Sequence, residues 1–143
     1  MKVSVVRLPK IKLQKLKEIN EAFEESSRDL TASYPPTEKL TWPTQHSEAM
    51  AWYEDNSLPT PYLDGLARVR RIPAEALRNK TAEKVNLFLI ASQALVGIRQ
   101  RLEDRINLAQ NMAAVEAIQW PSQEELEAEI NDHTQTELQA RNL

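Results

Sequence analysis

Apolar positions along this chain recur at spacings of three, four and seven, which is the period of helix faces rather than of strands. From Lys10 to Ala32, the residues Leu16, Ile19, Phe23 and Leu30 fall on one stripe, and Leu16, Phe23 and Leu30 are each seven apart. Ser26 stands where an apolar residue would continue that seam. The spacing predicts a long amphipathic helix with a narrow, coiled-coil-like face. Tyr34-Pro35-Pro36 ends it, because a proline pair cannot continue a helix. Before it, Met1 to Leu8 is the longest stretch with strand period, and it predicts a short extended start.

A second helix is expected after Trp42-Pro43, with Thr44 as its cap, running to about Asp55. Thr60-Pro61 then signals a third, from Pro61 to Arg71, that should bury Leu63, Leu66 and Val69. From Pro73 onward the pattern stays helical for more than thirty residues, with Phe88, Leu95, Leu102 and Ala109 recurring every seven. Asn79-Lys80-Thr81 is a weak spot where this helix would bend or break, and Gly97 lowers its propensity by roughly 1 kcal/mol relative to alanine. Ala113 to Ile118 predicts a short helix. Ser122 with Glu125 then forms a capping box for a final one, Gln123 to about Ala140. The hexapeptides Leu40–Gln45 and Ile118–Gln123 share a Trp-Pro-Thr/Ser-Gln core, read as repeated helix-start chemistry rather than a duplication.

The expected fold is all-α: an elongated helical bundle with a long central helix, a long N-terminal amphipathic helix, a C-terminal helix and a short extended N-terminus. Along the chain this divides into residues 1–36, the extended start and first helix; residues 37–120, a helical body; and residues 121–143, an acidic last helix.

Composition narrows the chemistry. Two glycines in 143 residues cannot build a dinucleotide fingerprint or a phosphate-cradling loop. The lack of cysteine excludes a disulfide framework and a thiol nucleophile, and points to synthesis in a reducing cytoplasm. The longest mainly apolar run, Val85 to Gly97, falls short of the ~20 residues needed to span a bilayer, so no membrane role is expected. The start lacks the apolar region and cleavage site of a secretory signal.

Charge is uneven. Lys2, Arg7, Lys10, Lys12, Lys15 and Lys17 crowd the first twenty residues, whereas Glu124, Glu125, Glu127, Glu129, Asp132 and Glu137 crowd the last twenty-three. Such ends can pair within a protomer or between protomers, or stay solvated as independent helix faces. The net charge of -3 argues against nucleic acid, and no aromatic side chain interleaves the lysines.

No pattern nominates a catalytic residue, a cofactor or a metal. His46 and His133 lie far apart and outside any ligand spacing. The adjacent carboxylates Glu54-Asp55 and Glu103-Asp104 diverge on a helix. Asp64 could pair with Arg68 and Arg71 along the third helix. One alternative class is a DNA-binding regulator, since Leu63 to Arg78 reads as a helix-turn-helix with a basic cluster. Against it, the second helix begins Pro73-Ala74-Glu75-Ala76, an acid and small residues where base contacts are needed.

Several short segments accumulate toward a resemblance: Leu40–Gln45, Glu48-Ala49, Ala51-Trp52, Asp55-Asn56, Thr60–Asp64, Gly97–Gln100, Leu102–Asp104 and Val115–Trp120. In this order they resemble a helical region of tail-fibre-associated and tail-fibre assembly proteins of bacteriophages, over roughly the middle 80 residues. The resemblance implies a non-enzymatic virion component or assembly chaperone. It also implies a tail-fibre or baseplate protein as partner, and a location in the virion tail after synthesis in the host cytoplasm. The basic first helix and the acidic last helix fall outside it. Leu16, Ile19, Phe23 and Leu30 are the candidate partner-binding seam, toward a fibre or toward copies of the chain itself. The alternative is that they pack onto the chain's own Phe88–Ala109 helix.

Overall fold

The computed structural model describes residues 2–141, with side chains from Arg7 onward. The fold is all-α: α1 (Lys2–Arg28), α2 (Pro36–Lys39), α3 (Trp42–Glu54), α4 (Pro61–Arg70), α5 (Ala74–Leu108), α6 (Met112–Glu116) and α7 (Gln123–Ala140), with no strand among the described residues. Two compact units form, one from Met1–Thr31 with Ile90–Leu143 and one from Ala32–Leu89. The first unit is discontinuous in sequence, and its first and last stretches share one core.

The expected extended start is helical. Met1 lies outside the described residues, but α1 already begins at Lys2 and carries Pro9 inside it. A lone strand leaves its backbone groups without a neighbour, whereas a helix satisfies them locally, and Pro9 removes only one donor from that ladder. α1 stops at Arg28, ahead of the proline pair expected to end it near Ala32, and Pro36 instead opens the four-residue α2.

In the first unit the core is made by Ile19, Leu95, Ile98, Leu102, Ile106, Ile118 and Leu126, with Leu16, Phe23, Leu30, Trp120 and Ile130 packed against it. Ser26 in the seam has a reason. Its Oγ accepts a 3.0 Å bond from Trp120 Nε1, and the Trp120 ring meets Phe23 edge-on at 6.1 Å. An apolar residue at position 26 would leave a part-buried indole N–H unpaired. The last helix starts as its sequence dictates, with the Ser122–Glu125 capping box fully formed.

The second unit is built on small contacts. Ala49, Leu63, Ala67, Leu77 and Ala82 form its core, and three alanines among five let the helices approach closely. Here the helix starts depart from expectation. Thr41, not Thr44, is the N-cap residue of α3, and its Oγ1 donates to the Glu38 carbonyl rather than capping the helix. Trp42-Pro43 therefore lies inside α3, whereas Trp120-Pro121 precedes α7, and the two hexapeptides do different structural work.

The central helix is continuous through Asn79-Lys80-Thr81, where a break was expected. Thr81 and Ala82 are buried there, so tertiary packing overrides weak local propensity. Gly97 is exposed, and a Cβ built on it meets no atom within 4 Å. It is tolerated rather than required for close packing. Gly97→Ala should therefore raise stability by about 1 kcal/mol in urea unfolding, and a loss of stability would mean that the glycine serves a contact.

Candidate interaction surface

Around the start of α4 the polar groups are all used to hold helices together. Glu48 on α3 accepts from the backbone N–H groups of Tyr62 and Leu63, each at 2.9 Å, and so caps α4 from a neighbouring helix. Thr60 is the N-cap residue of α4 but makes no side-chain cap bond. Instead its buried Oγ1 donates to Asp64 Oδ1 at 2.8 Å and accepts from Arg78 Nε at 2.8 Å. Arg78 also pairs with Asp64 at 2.6 Å and lies over the Trp52 ring at 5.8 Å. The hydrogen bond from Thr60, then the Arg78 guanidinium, hold the Asp64 carboxyl below the usual range. Asp64 thus makes its ion pair across to Arg78 of α5, and Arg68, one turn on along α4, adds a smaller electrostatic pull on the same carboxylate.

The other end of α4 is finished differently. The Arg71 N–H bonds the Arg68 carbonyl and the Ile72 N–H bonds the Ala67 carbonyl, the paired bonds of a Schellman ending. That ending needs a left-handed residue, and Arg71 supplies it at φ 60° where glycine is usual. Ile72 tucks against the core beside Ala67. Val69, expected to be buried, is 81% exposed. It lies two residues beyond buried Ala67, nearly opposite on a helix turning about 100° per residue. Arg68, Arg70 and Arg71 around it are exposed and have no ion pair among the described residues.

His46 takes part in an aromatic group. Its ring stacks on Trp42 at 6.1 Å and tilts toward Phe88 at 6.1 Å, while Trp42 meets Tyr34 edge-on. Burial among these rings pushes the His46 pKa down. In the first unit, His133 Nε2 bonds Gln93 Oε1 at 3.1 Å. Neither histidine joins a cluster of three metal-ligating side chains, and no such cluster exists among the described residues. The carboxylate pairs diverge: Glu103 bonds Arg99, while Asp104 points to solvent.

The candidate seam goes to the chain's own core. Ile19 is 2% exposed within the first unit, and Leu16, Phe23 and Leu30 pack on the same cluster. Ile19 is thus taken up by the chain's own core, whereas Leu16, Phe23 and Leu30 pack against that core and stay partly exposed. Among the described residues no ion pair joins the basic end to the acidic end. Lys12 bonds the Asn107 carbonyl, Lys15 bonds Glu18, and Glu129 of α7 takes a two-point bond from Arg101 of α5, which lowers the Glu129 pKa. On α7, Glu124, Glu127 and Asp132 remain exposed without a cation among the described residues. No helix among them is long and apolar enough to cross a membrane.

Sequence reasoning missed Glu48 because nothing in a sequence marks a carboxylate as the cap of a helix fourteen residues on. The Thr60–Asp64 bond was within reach, since the pair has helical spacing. Val69 misled because its apolar character fits the period while its angular position does not.

Residues 83–120 match the family described as HI1402 helical domain, about a quarter of the chain and confined to roughly the last three quarters of α5, α6 and the segments that follow each. No curated protein and no solved structure matches the chain.

The lowered pKa of His46 fixes a sign. The unfolded chain takes up the imidazole proton first as pH falls, so stability is full above about pH 6.5 and declines below it toward the folded-state value. The urea midpoint should drop between about pH 7.5 and pH 5.5 in the wild type, and His46→Gln should flatten that drop. An equal drop in both proteins would remove His46 as its source.

Proposed function

We propose that this chain is a non-enzymatic component of a bacteriophage tail, associated with the tail fibre as a structural part or as an assembly chaperone. The segments from Leu40 to Trp120 that resemble such proteins support the reading. The family match over residues 83–120 adds only that part of this region recurs as a helical domain.

One physical observation carries the interaction role. Among the described residues, most large apolar side chains left at the surface lie in the second unit, including Tyr34, Leu40, Tyr53, Leu58, Tyr62 and Val69. Leu40 and Val69 are 80% and 81% exposed. Apolar side chains left at the surface in this way offer contacts to another protein. The polar groups at the start of α4 are meanwhile engaged in helix capping and helix pairing. The partner in this reading is a tail-fibre or baseplate protein, and the place of action is the virion tail.

A second reading keeps one supporting feature, the exposed Arg68, Arg70 and Arg71 at the turn between α4 and α5. A helix-turn-helix regulator would use such a turn against phosphates. Arg78, the cation best placed on the following helix, is instead held by Thr60 and Asp64.

Mass spectrometry of purified particles, together with pull-down of the co-expressed fibre, tests the proposal. The chain in particles makes it a structural part; the chain bound to fibre but absent from particles makes it a chaperone. Absence from both overturns the proposal, and a shift of random duplex at low salt would then favour the regulator.

A further inference from the structure

The corner where α4 ends is unusual on three independent counts. Val69 projects an apolar side chain into solvent, 81% exposed on the face of α4 nearly opposite buried Ala67. Three arginines surround it without an ion pair among the described residues, and one of them, Arg71, holds the left-handed conformation that glycine adopts at lower cost. Attraction to the α4 C-terminus explains cations in that last turn, but it explains neither the bare valine nor an arginine at the left-handed position.

The same chain carries a surface of the opposite kind. On α7, Ala128 is exposed, with Glu124 one turn before it, Glu127 beside it and Asp132 one turn after. Residues four apart on a helix are surface neighbours, so exposed Ala128 is flanked by the carboxylates of Glu124 and Asp132, with Glu127, whose Oε1 accepts from Gln123 Nε2, at the edge of that face. A protruding valine ringed by cations and a flat alanine flanked by anions complement each other in both shape and charge.

We propose that the Val69 corner of one copy docks on the Ala128 face of α7 in a second copy. The contact is heterologous: each docked pair still has one free corner and one free face, so association continues beyond two copies unless a ring closes. Opposite charges dominate its rim, so the contact weakens as salt rises. It uses the isolated full chain and stands apart from the fibre reading, whose failure would leave it untouched.

The test is sedimentation velocity of the full chain over a concentration series, at about 50 mM and about 500 mM salt. The expected result is a mass that grows with concentration at low salt and falls back at high salt. Val69→Asp should weaken association by about tenfold or more, in the manner of a central apolar anchor. Two further variants give the decisive comparison: Arg70→Glu with Arg71→Glu, and Glu124→Lys with Glu127→Lys. Each alone should sediment as a monomer, because corner and face then carry like charge, and their equimolar mixture should associate again. All the substituted positions are exposed, and circular dichroism melts of each variant verify that it folds. A wild type that stays monomeric throughout overturns the proposal. So does association that the charge variants leave unchanged, or a mixture that fails to recover it.

Discussion

The structure depends on one unbroken helix. α5 runs for 35 residues and supplies buried positions to both compact units, Leu77 and Ala82 to one and Leu95, Ile98, Leu102 and Ile106 to the other. A helix of this length satisfies its interior backbone groups by itself, so its buried stripe can be covered by whichever elements reach it. In the first unit that cover is α1 together with the α6–α7 region; in the second it is α3 and α4. A chain that is 41% hydrophobic has few apolar residues to spare, and sharing one helix between two cores lets each remain small.

Polar chemistry follows from the same economy. The most connected cluster, Thr60, Asp64 and Arg78 with Trp52 beneath, ties α4 to α5, and Glu48 ties α3 to α4. Charged groups committed in this way hold the geometry of the helices. What α4 leaves unengaged is at its far end, where arginines and an exposed valine meet solvent. Pro43 and Pro61 sit in the first turns of α3 and α4, and Pro73 and Pro121 lie in the turns that precede α5 and α7. Such a body suits work done through contacts.

Much of this was legible in the sequence, for physical reasons that differ by element. The capping box of α7 and the proline start of α4 were readable because caps are local chemistry, complete within four residues. The seam of α1 was readable as a stripe, but its destination was not, since periodicity shows that a face is buried and not against what. Ser26 looked like a flaw until Trp120, ninety-four residues later, was seen to donate to it. The continuity of α5 at Asn79–Thr81 was hidden because weak propensity there is outweighed by burial that only the tertiary fold supplies. Val69 and Arg71 are the positions where local pattern and structure disagree most, and such disagreements collect where a surface has work to do.

Placing the α1 seam inside the chain's own core is the claim on which the rest turns, and Ile19, at 2% exposed, tests it most directly. Urea unfolding of Ile19→Ala should show a loss of about 2 to 5 kcal/mol, the cost of a cavity in a packed core, at every protein concentration. Unchanged stability in the dilute protein, with an effect seen only where copies or partners associate, would put the seam at an interface instead.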